Sequence, residues 1–273
     1  MRILAIGDVN GRPGRQMVET HLPRLILEHR IDFSLANVEN AADGFGITPD
    51  LTEQLLSHGL DCLTSGNHIY DKQEIVDYLA AQPRLLRPEN YPAGAAGSGV
   101  YVGATANGTP IAVVNLMGRI FMPPCDDPFR TADRVLDRLA GKARVILVDM
   151  HAEATSEKYA MGYHLTGRVS AVVGTHTHVQ TADETILAGG TAYISDLGMT
   201  GPYDSVIGIE KSLALKKFLT GMPVRFTVAR RDPRLCGVVI EVDDATGRAR
   251  RIERIQVRPD AADEADRGDA QPV

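Results

Sequence analysis

A chain of 273 residues with 44% hydrophobic and 23% charged residues has the composition of an ordinary soluble globular protein, long enough to bury a sizeable core. A formal net charge of −6 excludes binding to nucleic acid through a basic surface, because neutralising phosphates takes clustered Lys and Arg. Three widely spaced cysteines (Cys62, Cys125, Cys236) without a Cys-x-x-Cys exclude a disulfide framework and point to a reducing, cytoplasmic setting.

No apolar run approaches the ~20 residues that span a bilayer, and the first residues enter a strand without a signal peptide's length or cleavage site. Residues 2–7 read as that strand, ending in Gly7-Asp8-Val9-Asn10-Gly11. A helix follows with Pro13 near its first turn and Val18, Leu22, Leu25 and Ile26 as its apolar stripe. Pro23 inside that pattern predicts a kink or a break. A strand over 33–38 ends in Glu39-Asn40, and a helix over 49–58 leads to a strand over 60–64. That strand ends in Ser65-Gly66-Asn67-His68, and a helix over 72–80 comes next. Strand, polar tip and helix alternate three times, the rhythm of an α/β sheet whose ligands sit beyond the carboxyl ends of its strands.

Residues 84–95, rich in Pro, Arg and Gly, read as a loop lining an entrance; Arg119 and this loop are candidate substrate contacts by position. Residues 100–104 and 111–116 pair as strands around Asn107-Gly108, and a proline-marked loop leads to a helix over 131–139. A buried strand over 144–150 delivers His151 with Glu153 close behind, and a helix over 156–165 follows. The strand over 168–173 runs into Gly174-Thr175-His176-Thr177-His178. If the extended conformation persists, His176 and His178 share a face, and Gly174 lets the chain approach a bound group. After a brief strand at 192–195 come an amphipathic helix over 209–219 and strands at 224–229, 236–242 and 251–257. These last three read as an antiparallel set completing a second sheet. The acidic end, with few apolar groups, reads as a disordered tail over 259–273 behind a single domain over 1–258.

Asp8, Glu39, Asn40, Asn67, His151, His176 and His178 each stand at or just past a predicted strand end. Such a set exceeds the roughly four ligands of one tetrahedral zinc. It suits two ions bridged by a carboxylate, spaced ~3.5–4 Å apart in hydrolytic sites. Carboxylate, amide and imidazole together fit iron, manganese, zinc or cobalt better than calcium or copper(I). Asp8 by itself could also be a helix N-cap. His68, next to Asn67, is placed to act on substrate, as general acid for the leaving oxygen or as a donor to the developing charge, rather than to bind the same ion. His21, His29 and His58 lie in helix patterns and read as surface residues, and His164 as structural. Neither G-x-S-x-G nor G-x-x-x-x-G-K-[ST] occurs, which leaves acyl transfer and P-loop nucleotide hydrolysis without support.

In order, Gly7-Asp8-Val9-Asn10-Gly11, Val38-Glu39-Asn40, Gly66-Asn67-His68, His151 and Gly174-Thr175-His176-Thr177-His178 resemble the motifs of the calcineurin-like metallophosphoesterase superfamily. Asn10 stands where many members have a ligand histidine, and Glu39 replaces the usual bridging aspartate. That variant, with His151-Ala152-Glu153-Ala154-Thr155-Ser156-Glu157-Lys158 and Asp196-Leu197-Gly198-Met199-Thr200-Gly201-Pro202, resembles the bacterial YmdB-type 2′,3′-cyclic-nucleotide phosphodiesterase branch. The resemblance implies a four-layer α/β/β/α sandwich of two mixed sheets, the metallo-dependent phosphatase fold, in a homo-oligomer. It implies two divalent metal ions per chain, iron or manganese, with magnesium or zinc as alternatives. Asp8, Glu39, Asn40 and His178 would hold one ion, and Glu39, Asn67, His151 and His176 the other. Asn10 is the alternative to Asn40.

The activity so implied is hydrolysis of cyclic nucleotides, 2′,3′-cyclic ones first and 3′,5′-cyclic AMP as a further candidate. In that reading a metal-bound hydroxide would attack phosphorus while His68 would protonate the departing ribose oxygen. Neither a stable nucleic-acid complex nor a membrane is expected. A phosphomonoesterase of the same fold and a non-catalytic nucleotide-sensing regulator stay open as other readings.

Overall fold

A computed structural model describes residues 1–259. In β1 (Arg2–Ile6) the side chains alternate between two cores, as a pleated strand buried on both faces requires. Ile3 and Ala5 join a core with Phe33, Leu35, Ile111 and Leu147, whereas Leu4 and Ile6 join Val18, Leu22 and Leu55. The first of these cores lies between two sheets.

Among the described residues one sheet has seven strands. Its order is β2 (Asp8–Val9), β11 (Met199–Pro202), β12 (Pro233–Val242), β1, β3 (Phe33–Asn37) and β4 (Cys62–Thr64), with β13 (Ala249–Val257) paired to β12. The other has six, in the order β5 (Val100–Ala104), β6 (Pro110–Met117), β7 (Val145–His151), β8 (Ala171–Thr175), β10 (Thr191–Ile194) and β9 (Thr185–Leu187). Parallel pairs β1/β3/β4 and β6/β7/β8/β10 are flanked by antiparallel partners, so both sheets are mixed. Helices α1 (Gly11–His29), α2 (Pro49–Ser57) and α3 (Ile75–Ala81) cover the outer face of the first sheet. Helices α4 (Pro128–Leu139) and α5 (Thr155–His164) cover that of the second, through a third core built on Val135, Met161 and Val148. This is the α/β/β/α order of layers, with α6 (Lys211–Thr220) added outside it.

The same two-residue period positions the site. Phe33 and Leu35, Cys62, Ile111 and Val113, Val145 and Leu147, and Ala171 and Val173 fill the space between the sheets. Continuing each strand on the same face gives Asn37, Thr64, Asn115, Asp149 with His151, and Thr175, all buried. The layer between the sheets thus changes from apolar to polar at the carboxyl ends of five strands.

Several expectations are corrected. Helix α1 runs unbroken through Pro23, because Pro23 and Glu19, whose carbonyl loses its partner, both lie on the solvent side. Residues 224–229 are not a strand. Their alternation is real, but only Val228 pairs, by an isolated bridge to Ile209, and Phe226 and Val228 line a cavity instead of packing on a neighbouring strand. Strands β12 and β13 complete the first sheet, with β12 inserted between β1 and β11. The short strands β2, β9 and β11 escape sequence reading. His21 is buried, not a surface residue. No helix among the described residues is long and apolar enough to cross a membrane. The tail expected over 259–273 lies outside the described residues from position 260 onward.

Candidate metal centre

All seven predicted ligands gather at one end of the two sheets. Asp8 opens β2, two residues past β1, Glu39 and Asn40 stand two and three residues past β3, and Asn67 three past β4. His151 is the last residue of β7, and His176 and His178 follow β8. The extended conformation does not persist through the histidine pair. The strand ends at Thr175, and both histidines take left-handed backbone, φ 97° and 65°. Strained φ at non-glycine residues is held only where surroundings over-determine it. The two imidazoles therefore divide between two clusters.

In the first, Nε2 of His178 lies 3.1 Å from Asn40 Nδ2 and 3.8 Å from Asp8 Oδ1. In the second, Nε2 of His151 lies 3.1 Å from Glu39 Oε1, from Asn67 Oδ1 and from His176 Nδ1. Glu39, His151 and His176 each bring a donor atom within 4.8 Å of the others. The clusters touch where Asn40 Nδ2 donates to Glu39 Oε1 at 3.5 Å and the His176 amide to Asp8 Oδ2 at 3.3 Å.

Each imidazole has its outer nitrogen engaged by an acceptor. His178 Nδ1 donates to the Ile207 carbonyl at 2.9 Å, and His176 Nε2 faces Glu153 Oε2 at 3.3 Å. Thr175 Oγ1 donates to Asp149 Oδ1 at 2.7 Å and so accepts from His151 Nδ1 at 2.9 Å. The partner of one ring nitrogen sets the tautomer, which turns the inward nitrogen of all three towards the two clusters. Asp149 itself is buried and also takes bonds from Thr64 and from Asn37 Nδ2 (3.2 Å). A single carboxylate inside an apolar strand was the available sequence signal for this network, and sequence reasoning missed it.

Charges agree with a cation site. Burial pushes Asp8 from 3.8 up to about 6. Burial pushes Glu39 up as well, yet the neighbouring His151 outweighs it and holds the carboxyl at about 2. Burial pushes His151 down, and Glu39 overcomes that to raise it to about 9. Burial and then His151 push His176 down to about 3, so it stays neutral. A proton on His151 Nε2 thus stands where a metal would bind. The donor set fits divalent cations on two further observations. Asp8 Oδ1 is buried without a hydrogen-bond partner. A Cβ at Gly66 would lie 2.1 Å from the His151 ring and 2.5 Å from Glu39 Oε2, so only glycine lets this turn close around the donors. Gly174, by contrast, is needed inside β8, where a Cβ would lie 1.7 Å from the Ser195 carbonyl.

A cavity of about 250 Å³ opens over both clusters. His68 lines it, with Nδ1 2.7 Å from Asp71 Oδ2, its ring edge-on to Phe45 at 5.0 Å, and its amide donating to Glu39 Oε2 at 3.0 Å. Asn10 also lines it. The remaining walls come from Asp43–Phe45, 207–209 and 226–228, which sequence reasoning did not find. Arg119 and residues 84–95 do not line it; Arg119 pairs with Asp127 at 3.0 Å and Arg84 holds the Asp61 carbonyl at 2.8 Å.

Residues 4–255 match a family model described as YmdB-like protein. A 2′,3′-cyclic-nucleotide 2′-phosphodiesterase of Bacillus subtilis is 52% identical over 261 residues, covering 95% of this chain and 98% of that protein. A putative phosphatase/phosphodiesterase of Mycoplasma genitalium is 33% identical over 264 residues, 94% of this chain and 93% of its own. Among solved structures, a hypothetical protein from Thermus thermophilus superposes with a TM-score of 0.88 at 43% identity, covering 94% of this chain and 99% of that one. A novel phosphatase from Mycoplasma pneumoniae superposes with a TM-score of 0.89 at 31% identity, covering 97% and 96%.

Proposed function

The chain belongs to the YmdB-like family, with the metallo-dependent phosphatase fold, and from that premise we propose that it is a metal-dependent phosphodiesterase acting on 2′,3′-cyclic nucleotides. The observation that carries this reading is the convergence of two buried carboxylates with three imidazoles whose inward nitrogens face them and one another. Asp8, Asn40 and His178 would hold one divalent cation, Asn67, His151 and His176 another, and Glu39 would bridge them; iron or manganese suits these donors. When bound, such ions neutralise phosphate oxygens and bring the pKa of a water from 15.7 towards ~7.

The chain's own side chains supply the rest. Asp71 holds Nδ1 of His68, which turns Nε2 of that ring to the cavity as the proton donor for the departing ribose oxygen. Phe45 packs on the ring and limits its rotation. Thr175, backed by Asp149, fixes His151, and the Ile207 carbonyl fixes His178. The assembly into a homo-oligomer is supported by α6, on which Leu215, Phe218 and Leu219 are exposed beside Met222.

A product assay after loading with Mn²⁺ or Fe²⁺, comparing 2′,3′-cyclic AMP, 3′,5′-cyclic AMP and p-nitrophenyl esters, tests the reading. Preferential turnover of the 2′,3′-cyclic ester supports it. Turnover of monophosphates but not cyclic esters would replace it with a phosphomonoesterase, as the names of the mycoplasma relatives allow.

A further inference from the structure

Half of the cavity over the metal centre has no part in holding cations. Phe45, Phe226, Ile207, Ile209 and Val228 give it an apolar wall, and none of its lining residues is Lys or Arg. Asp43 and Glu153 are the carboxylates at its other margins. The wall is built in. Val228 fills the space beside Gly11 and Gly44, where an added Cβ would lie 2.9 Å from its methyl groups. The Ala229 amide donates to Gly208 O at 2.8 Å, and the Glu210 amide to Thr227 O at 3.0 Å. Ile207 in turn accepts the bond from His178, which ties the wall to the metal centre.

Asn10 adds a polar point. It is the N-cap of α1 yet makes no side-chain cap bond, and the third helical residue, Pro13, has no N–H to offer. Its side chain lines the cavity, and the residue is 4% exposed with Oδ1 lacking a hydrogen-bond partner. A buried acceptor left unsatisfied is costly, so a ligand that brings a donor to it is favoured.

Resting on the phosphodiesterase reading, we propose that this compartment is a nucleoside subsite for a mononucleotide without further phosphates. The base lies against Phe226 and Phe45, and a nucleoside hydroxyl or amino group donates to Asn10 Oδ1. Base–aromatic contact gives affinity with little discrimination between bases. The absence of Lys and Arg from the walls, beside Asp43 and Glu153, leaves nothing to neutralise a 5′-phosphate, which selects against RNA ends and 5′-phosphorylated nucleotides.

The test is isothermal titration of the Mn²⁺-loaded chain with adenosine 3′-monophosphate, ribose 3-phosphate and adenosine 3′,5′-bisphosphate. Adenosine 3′-monophosphate is expected to bind about tenfold more tightly than ribose 3-phosphate. Phe226→Ala or Phe45→Ala shrinks that ratio towards one, and Asn10→Ala weakens adenosine 3′-monophosphate about fivefold. The bisphosphate binds more weakly than the monophosphate. A ratio unaltered by both phenylalanine variants, or a bisphosphate that binds as tightly as the monophosphate, overturns the subsite. Turnover of 2′,3′-cyclic AMP is followed on the same samples: if binding behaves as stated and no product forms, the subsite stands and the phosphodiesterase reading falls.

Discussion

The ammonium of Lys158 lies 2.8 Å from Asp196 Oδ2, and both side chains are buried. The same carboxylate accepts from Thr177 Oγ1 at 2.6 Å and the Thr177 amide at 3.1 Å, while Oδ1 takes the Gly198 amide at 2.8 Å. Thr177 separates His176 from His178. Helix α5 is thereby tied to the turn that carries both histidines. Both stand in stretches that carry the family resemblance, but the sequence assigned a role to neither.

Removing the carboxylate strands a buried ammonium and frees the turn, whereas removing the ammonium leaves Asp196 with its other donors. Asp196→Ala should therefore destabilise the chain by about 3–5 kcal/mol, and Lys158→Met by clearly less. Urea unfolding of both variants checks the asymmetry. Equal losses would show that Thr177 and Gly198 contribute little to holding Asp196.

Glu39 contacts His151 and accepts from the His68 amide, and in the proposed site it bridges two ions. Glu39→Gln should lose both metal occupancy and hydrolysis. Elemental analysis beside the phosphodiesterase assay decides the matter. Two metals per chain with full activity in this variant would refute the bridge.

His68 makes its side-chain contacts to Asp71 and Phe45, away from the ligand clusters. His68→Ala should keep the metals and lower kcat by ~10²–10⁴-fold. Loss of the metals along with rate would make His68 a ligand and remove it as the proton donor.

The polar network behind His151 orients the ring rather than touching substrate. Thr175→Val or Asp149→Asn should weaken metal binding about 10–100-fold. Titration with Mn²⁺ reads this directly. Wild-type affinity in both variants would mean that packing alone orients His151.

Without metal, two raised groups work against the fold as pH rises. Asp8, moved from 3.8 up to about 6, contributes stability present at low pH and lost as pH rises through 6. His151, moved from 6.5 up to about 9, contributes stability that persists below 6.5 and is lost through 9. Glu39, held at about 2, contributes stability lost only as pH falls from 4.5 through 2. In the proposed site a cation would replace the His151 proton and compensate the Asp8 charge. The gain in Tm on adding Mn²⁺ to EDTA-treated protein should accordingly be larger at about pH 8.5 than at about pH 5.5. An equal gain at both values would contradict a centre built on these residues.

Much of the donor set was legible because it depends on strand ends. An apolar run followed by Asp8, by Glu39-Asn40, by Asn67 or by His151 marks both a buried strand and the polar group it delivers, and parallel strands bring such ends together. The two-residue period likewise separates Ile3 and Ala5 from Leu4 and Ile6 without reference to coordinates. What the local pattern does not contain is the company each group keeps across the fold. The bonds from Asp149 to Thr175, from Asp196 to Thr177 and Lys158, and from His178 to Ile207 join segments whose separation along the chain carries no periodic signal. Residues 224–229 show the limit most clearly: the sequence determined their alternation, and only the tertiary structure decided that the half-buried side should face a cavity. A side chain's direction follows from local backbone geometry, but what it meets depends on which distant backbone the packing of two sheets leaves opposite it.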